Sequence, residues 1–299
     1  MTDTLSVSVI IPVFNDADRL RLCLQCLSEQ SYTGPTSIFV IDNGSTDHIA
    51  NVKRDFPAMT WMLEPAPGSY NARNRGLSAA NSEIVAFTDS DCQPHRDWLK
   101  EAVAALSAHP NASFIGGRID LILRNSDNKL SIAEVYDLAA GFPQQRRFVE
   151  RAHFAMTANM VTRRAVIDRV GRFNGAMKSG GDREWGNRAW ECAGPGVYVD
   201  DMIVLHPVRA DTEEILKRAR RVAGGERDRH PGCAACFRYA VRSGLLPPRQ
   251  AIRDIWSLPS SRASASDKLV ASGFAMRVRW TSMLERLKLQ LTGGASQRS

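Results

Sequence analysis

The feature that most restricts this chain is a fourfold alternation, across residues 1–110, of short apolar runs with segments of helical periodicity. Val7-Ser8-Val9-Ile10-Ile11-Pro12 reads as a buried strand whose last residue, a proline, opens a loop. A helix capped by Asp18 and running through Gln30 follows. Ser37–Asp42 repeats the strand signal, ends in the turn formers Asn43-Gly44-Ser45, and leads into a helix from about Thr46 to Phe56. Thr60–Glu64 and Ile84–Thr88 are the third and fourth strands, with a helix over Ser69–Ala80 between them and another over Arg96–Ser107. These strands are too uniformly apolar to keep one face wet, so the pattern predicts a doubly wound α/β unit with a mostly parallel sheet covered on both sides. Ligands of such sheets bind beyond the carboxyl ends of the strands. Here those ends carry Asn15 and Asp16, Asp42 and Asn43, and Asp89 and Asp91.

From Asn111 to His206 the alternation loosens, with strands expected near Ser113–Ile119, Phe154–Met160 and Val197–His206 and helices near Arg163–Val170 and Arg183–Ala193. Beyond Thr212 the text is helical and basic, broken at Gly224-Gly225, Pro231-Gly232 and Pro247-Pro248. The expected organisation is a main domain over 1–210, divided into halves at 1–110 and 111–210, with a helical basic C-terminal extension over 211–299. The net charge of +7 belongs to that extension: residues 1–210 hold 22 Lys/Arg against 24 Asp/Glu, and 211–299 hold 17 against 8. A basic tail on a near-neutral body suits an anionic partner, phospholipid or nucleic acid, or is simply a solvated face.

Met1-Thr2-Asp3-Thr4-Leu5 has no basic n-region, and no apolar run reaches the roughly 18–20 residues that span a bilayer as a helix. Six cysteines without a secretory signal fit reduced thiols in the cytosol, the expected location. Cys23-x-x-Cys26 and Cys233-x-x-Cys236 together could hold zinc through four thiolates. The first pair, however, falls on the apolar side of a helical pattern with Leu20, Leu24 and Leu27, where buried thiols are the better account.

Asp89-Ser90-Asp91 places two carboxylates two residues apart just past a buried strand. Mg²⁺ and Mn²⁺ favour carboxylates together with substrate phosphates, so such a pair suits a diphosphate bound through a divalent cation. Asp and Ser are also common turn formers, the bland alternative.

Val7–Asn15, Val40–Asp47, Ala72-Arg73-Asn74-Arg75-Gly76 and Phe87–Pro94 occur in the order seen in family-two glycosyltransferases, and over residues 1 to about 210 the chain resembles that family. The resemblance implies the A-type, nucleotide-diphospho-sugar transferase fold, with a nucleotide-binding half and an acceptor half. It matches Pro12, Asn15, Asp42, Arg73 and Asp89 to nucleotide-sugar binding, with Asp42 at the base, commonly uracil, Arg73 near the nucleotide and Asp89 near the ribose. Asp91 matches the metal ligand of the DxD motif, and His206 resembles a histidine that completes the coordination of Mn²⁺ or Mg²⁺ in some A-type enzymes. Ala158-Asn159-Met160, Gly171-Arg172-Phe173-Asn174 and Gly180–Arg188 resemble the acceptor half. The usual Glu-Asp pair is Gly181-Asp182 here, so the second acid is kept and the first is lost. By position Asp182 is the general base for the acceptor hydroxyl, which implies inversion at the anomeric carbon. A helix cap at Arg183 is its simpler role.

Processive members carry Gln-x-x-Arg-Trp after the catalytic acid and several spanning helices. Met276-Arg277-Val278-Arg279-Trp280 keeps only the Arg-Trp end and Gln144-Gln145-Arg146-Arg147-Phe148 precedes Asp182, so transfer of a single sugar to a hydroxyl, of lipid-linked or cell-envelope polysaccharide type, is implied. Leu269, Met276, Trp280, Met283, Leu287 and Leu291 recur at helical spacing beside Arg277, Arg279, Arg286 and Lys288. This basic helix within 267–291 either lies on an anionic cytoplasmic leaflet as a peripheral membrane contact or packs on the catalytic domain. Two rival functions are a sugar nucleotidyltransferase and a non-enzymatic nucleic-acid binder. The first lacks its glycine-rich basic loop in Pro12-Val13-Phe14-Asn15-Asp16-Ala17-Asp18, and the second lacks an aromatic stacking row, so no nucleic acid is expected as a partner.

Overall fold

The structure, a computed structural model, describes residues 5–123, 129–141, 145–229, 244 and 246–292. Cys233, Cys236 and Pro231-Gly232 lie outside the described residues. Two compact units emerge, one from Met1–Asp120, Gln144–Ala176 and Gly181–His206, the other from Leu121–Pro143, Met177–Gly180 and Pro207–Ser299.

The first unit opens with strand β1 (Val7–Val13), helix α1 (Ala17–Ser28), β2 (Thr36–Asp42), α2 (Ile49–Asp55), β3 (Thr60–Leu63), α3 (Ser69–Ala79) and β4 (Ile84–Phe87). All of β1 and β4 is buried, as strands covered on both faces must be. After a two-residue strand β5 (Gln93–Pro94) come α4 (Trp98–Ala108) and β6 (Phe114–Ile122). Beyond them lie α5 (Ile132–Tyr136), a π-helical turn Asp137–Gly141, α6 (Gln145–Ala152), a 3₁₀ turn Thr157–Asn159, β7 (Met160–Arg163), α7 (Arg164–Val170), α8 (Gly181–Ala193) and β8 (Gly196–Pro207).

These strands form one eight-stranded sheet in the order β3-β2-β1-β4-β7-β6-β8-β5. β1 runs parallel to β2 and β4, and β2 parallel to β3, whereas β4–β7, β6–β7 and β5–β8 are antiparallel. The sheet therefore changes character beside β4, directly before the Asp89–Asp91 turn.

Several boundaries differ from the sequence reading, each for a local reason. β1 continues through Pro12 to Val13, with Pro12 opposite Ile41. The ladder to β4 ends at Ile10↔Phe87, and Thr88 N donates to Ile10 O, so Pro12 turns its donorless nitrogen to the same side just beyond that strand's end. α1 begins at Ala17, which places Asp18 in its first turn rather than at the cap. The expected strand from Phe154 starts only at Met160, because Thr157–Asn159 coils into a 3₁₀ turn that buries Asn159. Gly224-Gly225 does not break its helix. Helix α9 spans Thr212–Arg229, and the missing side chain at Gly225 admits the backbone of Ser179, whose O would lie 2.5 Å from an added Cβ.

The second unit is held by α5, α9 and two further helices, Arg249–Ser257 and Ala265–Thr292. Pro248 precedes the former, as a helix-opening proline should. Val135, Ile255, Ala263, Ala271 and Ala275 form one apolar cluster, and Ala133, Ile215, Leu216 and Phe274 another. The long helix thus packs through Ala271, Phe274, Ala275 and Leu289, whereas Leu269, Trp280 and Leu291 of the expected apolar stripe are exposed. No described helix is long and apolar enough to cross a membrane.

Candidate active site

The carboxyl ends of the parallel strands converge through a run of side-chain to backbone bonds. Asp42, the last residue of β2, accepts from Ser45 N at 2.8 Å, closing the turn through Gly44 at φ +85°. Ser45 Oγ accepts from Asn15 N at 3.0 Å. Asn15, in the left-handed region at φ +50°, accepts from Thr46 N at 2.7 Å. The next residues continue the chain of contacts. Ala17 N donates to Asp47 Oδ2 at 2.9 Å, and Ser90 Oγ donates to Asp16 Oδ2 at 2.7 Å. Asp42, Asn15, Asp16 and the Asp89-Ser90-Asp91 turn are therefore tied into one loop cluster at the sheet's carboxyl edge.

β4 delivers that turn. Thr88 is fully buried with its hydroxyl donating to Ala158 O at 3.1 Å, so the acids beyond it emerge from a fixed point. Arg73, buried on α3, donates Nη2 to Asp89 Oδ1 in a short charge-assisted bond. The Arg73 Nε, also buried, has no partner in the protein. Burial raises the Asp16 carboxyl above its usual range, an effect offset in part by Ser90 and Arg19 and reinforced by Asp91.

Asp91 meets His206 across the sheet, with Nε2 to Oδ2 at 3.4 Å and the imidazole buried. β5 explains how two residues so distant in sequence meet. Its antiparallel register pairs Gln93 with Leu205 and Pro94 with Val204, and one step further sets Cys92 opposite His206. Asp91, Cys92 and His206 each offer a ligand atom, all within 4.8 Å of one another. A carboxylate and an imidazole suit Mn²⁺ or Mg²⁺ with phosphate oxygens completing the shell, so the donor set fits the cation that the sequence suggested. His95 sits in the loop before α4, its backbone N–H donating to Ile203 O at 3.0 Å.

Asp182 lies in the first turn of α8, partly buried, and accepts from Arg183 N at 2.9 Å. The Tyr70 hydroxyl reaches the same Oδ1 at 3.4 Å. Burial raises the Asp182 carboxyl, the Arg183 N–H and Arg73 hold it down, and Asp89 pushes it up, so this acid shares an electrostatic neighbourhood with the Arg73–Asp89 pair. Of the residues singled out from sequence, Arg73 bonds Asp89, Asp91 meets His206, and Asp182 feels the first pair. Asp42 and Asn15 join through Ser45, and Pro12 stays within the strand. Asp16, Tyr70 and Cys92 were not singled out as site residues. Tyr70 and Asp16 nevertheless had a signal, one lying three residues before Arg73 on a helix and the other beside Asn15 at a strand end.

Cys23 is fully buried and its thiol pKa is raised by that burial, and Cys26 is half-buried, both in α1 and both free.

Comparison with known proteins bears on the family and the fold. The chain is 34% identical over 233 residues to glycosyltransferase AglE of Haloferax volcanii, covering 76% of this chain and 75% of that protein. It is 27% identical over 236 residues to the pre-mycofactocin glycosyltransferase of Mycobacterium tuberculosis, covering 75% of this chain and 48% of the relative. The mannosyltransferase PcManGT from Pyrobaculum calidifontis, solved with GDP-Man and Mn²⁺, shares the fold with a TM-score of 0.61 at 20% identity, over 96% of this chain and 87% of that one. S. aureus TarS 1–349, solved with UDP-GlcNAc, does so with a TM-score of 0.55 at 17% identity, over 97% and 91%. Residues 8–171 match the family described as Glycosyl transferase family 2, and the chain is a glycosyltransferase of that family.

Proposed function

We propose that the chain transfers one sugar at a time from a nucleotide diphosphate sugar, a UDP-sugar by the match at Asp42, to a hydroxyl acceptor, with inversion at the anomeric carbon. The observation that carries the reading is the meeting of Asp91 with His206 at 3.4 Å beside the Arg73–Asp89 pair, with Asp182 in the same electrostatic neighbourhood. Asp91 and His206 would hold the divalent cation, which when bound neutralises charge on the departing diphosphate. Arg73 keeps Asp89 oriented for the ribose, and its unpartnered Nε is a donor left for a ligand oxygen. Asp42 and Asn15, joined through Ser45, would line the base side, with Pro12 in the strand that leads to Asn15. Asp182, its carboxyl pKa raised by burial, takes the proton from the acceptor hydroxyl as it attacks. PcManGT with GDP-Man and Mn²⁺ and TarS with UDP-GlcNAc support the donor class and the cation by analogy of fold.

The acceptor is of lipid-linked or cell-envelope type in this reading, and the cytoplasmic face of a membrane is its place of work. Supporting this, the side of helix Ala265–Thr292 opposite its packed face exposes Leu269, Val270, Trp280, Leu284 and Leu291, with Arg277 and Lys288 exposed on the same side.

The test is a thermal-shift and turnover screen of nucleotide sugars with and without Mn²⁺. Asp91→Ala is expected to lose the metal-dependent shift. Asp182→Asn is expected to keep that shift while turnover falls by roughly 10²–10⁴-fold. Full turnover in Asp182→Asn overturns the base assignment, and an unchanged metal-dependent shift in Asp91→Ala overturns the cation site.

A further inference from the structure

Gly181 opens helix α8 immediately before Asp182, and it faces an aromatic ring. A Cβ added at Gly181 would lie 2.7 Å from Tyr70 Cε2, 2.8 Å from Cζ and 2.9 Å from Cδ2, closer than any side chain tolerates. Tyr70 is buried on α3, stacked on Phe173 at 5.8 Å between centroids, with the Arg73 guanidinium 5.6 Å from its ring centre. The ring is thus held in a buried setting by Phe173 and Arg73. Its hydroxyl reaches Asp182 Oδ1 at 3.4 Å and also interacts with the backbone N–H groups of Gly181 and Asp182. Those groups are among the first donors of α8, which have no acceptor within their own helix.

We propose that Tyr70 is the positioning residue of Asp182: its ring takes the space that any side chain at 181 would need, and its hydroxyl fixes the first turn of α8 and donates to the carboxylate. Gly181 is then a requirement of Tyr70 rather than a loss at that position. α3 would act as one rod with two functions, Tyr70 holding the acid on α8 and Arg73, one turn on, holding Asp89. The inference rests on the transferase reading only for the purpose of the positioning, because the contacts stand whatever Asp182 does.

The ionisable groups facing Asp182 are Tyr70 and Arg73 from α3 and Asp89 from the turn after β4. Tyr70→Phe removes a donor while leaving the ring and the other two charges in place. Carbon-13 NMR of the full chain labelled at aspartate carboxyls, with the Asp182 signal assigned by its loss in Asp182→Asn, reads the effect directly. A donor to the charged form lowers a carboxyl pKa, so Asp182 in Tyr70→Phe is expected to titrate at higher pH than in the parent. An unchanged midpoint overturns the proposal. A stability cycle tests the packing separately. Gly181→Ala is expected to lower Tm by several degrees with Tyr70 present, and to leave it unchanged or raise it in a Tyr70→Ala background, where the better helix former has room. An equal loss in both backgrounds also overturns the proposal. Should Asp182→Asn retain turnover while Tyr70→Phe still moves the Asp182 midpoint, the base assignment fails and the positioning contact stands.

Discussion

Asp182 illustrates what burial at the start of a helix costs an acid that is proposed to act as a base. Burial makes its charged form costly, and the neighbouring Asp89 adds to that cost. A carboxyl whose folded pKa is raised binds its proton more tightly in the native state, so its contribution to stability is greatest in acid and is lost as pH rises through the raised value. At neutral pH the ionised acid therefore works against folding, and Asp182→Asn is expected to raise Tm by on the order of 1–2 °C in calorimetry at pH 7. A lower Tm in the variant would count against the burial argument. Under the proposed base assignment the same shift gives transfer a pH profile: with donor saturating, turnover should rise with pH through a midpoint above the usual value for an aspartate, since a base must be free of its proton to act. At this scale much was legible in the sequence. Asp89, Asp91 and Asp182 fall at strand or helix ends, where a short polar side chain either closes a turn or meets a ligand. Tyr70 was legible only as a neighbour of Arg73 on one helix face: an aromatic in a helical pattern otherwise reads as core, and its contact with Gly181 is what gives it another meaning.

Among the elements, the 3₁₀ turn before β7 ties several others together. Asn159 is fully buried there, its Nδ2 donating to Arg118 O and Met202 O, each at 2.8 Å, and its Oδ1 accepting from Trp98 Nε1 at 2.8 Å. One amide thus joins β6, β8 and α4, while its backbone carbonyl accepts from Gln145 Nε2 at 2.9 Å. Asn159→Leu leaves the two carbonyls and the indole without partners, and is expected to cost about 3 kcal/mol by urea unfolding, at roughly 1–3 kcal/mol per orphaned group. A loss below about 1 kcal/mol would mean that the strands do not depend on this amide. The first four strands and their helices were readable because burial on both faces leaves no polar residue to blur the signal. The stretch from Leu121 to Phe154 was not. α5 has five residues, and α6 buries only Gln145 and Val149, so neither completes enough turns to show a period. The antiparallel strands were displaced for a similar reason, since Phe154 and Ala155 are buried without belonging to a strand.

For the molecule as a whole, the long C-terminal helix has two apolar sides with different fates. One is spent on the second unit's own core. The other leaves Leu284 at 60% and Leu291 at 81% exposure with Arg277 and Lys288 nearby. Sedimentation with vesicles is expected to show binding to membranes rich in phosphatidylserine, weaker binding to phosphatidylcholine alone, and loss of binding on added salt. Leu284→Glu should weaken it about tenfold, the worth of one buried leucine, without lowering Tm. Equal binding by both vesicle types, or by the variant, would leave the exposed row without a lipid role.

The pairing of β5 with β8 also sets an order of events during synthesis. Asp91 and Cys92 leave the ribosome more than a hundred residues before His206. A nascent chain that ends before Val204 has no strand on which β5 can register, and so lacks half of the proposed cation grip. Fragments released early, even with their parallel strands fully formed, would therefore be unable to compete with finished molecules for metal-loaded donor.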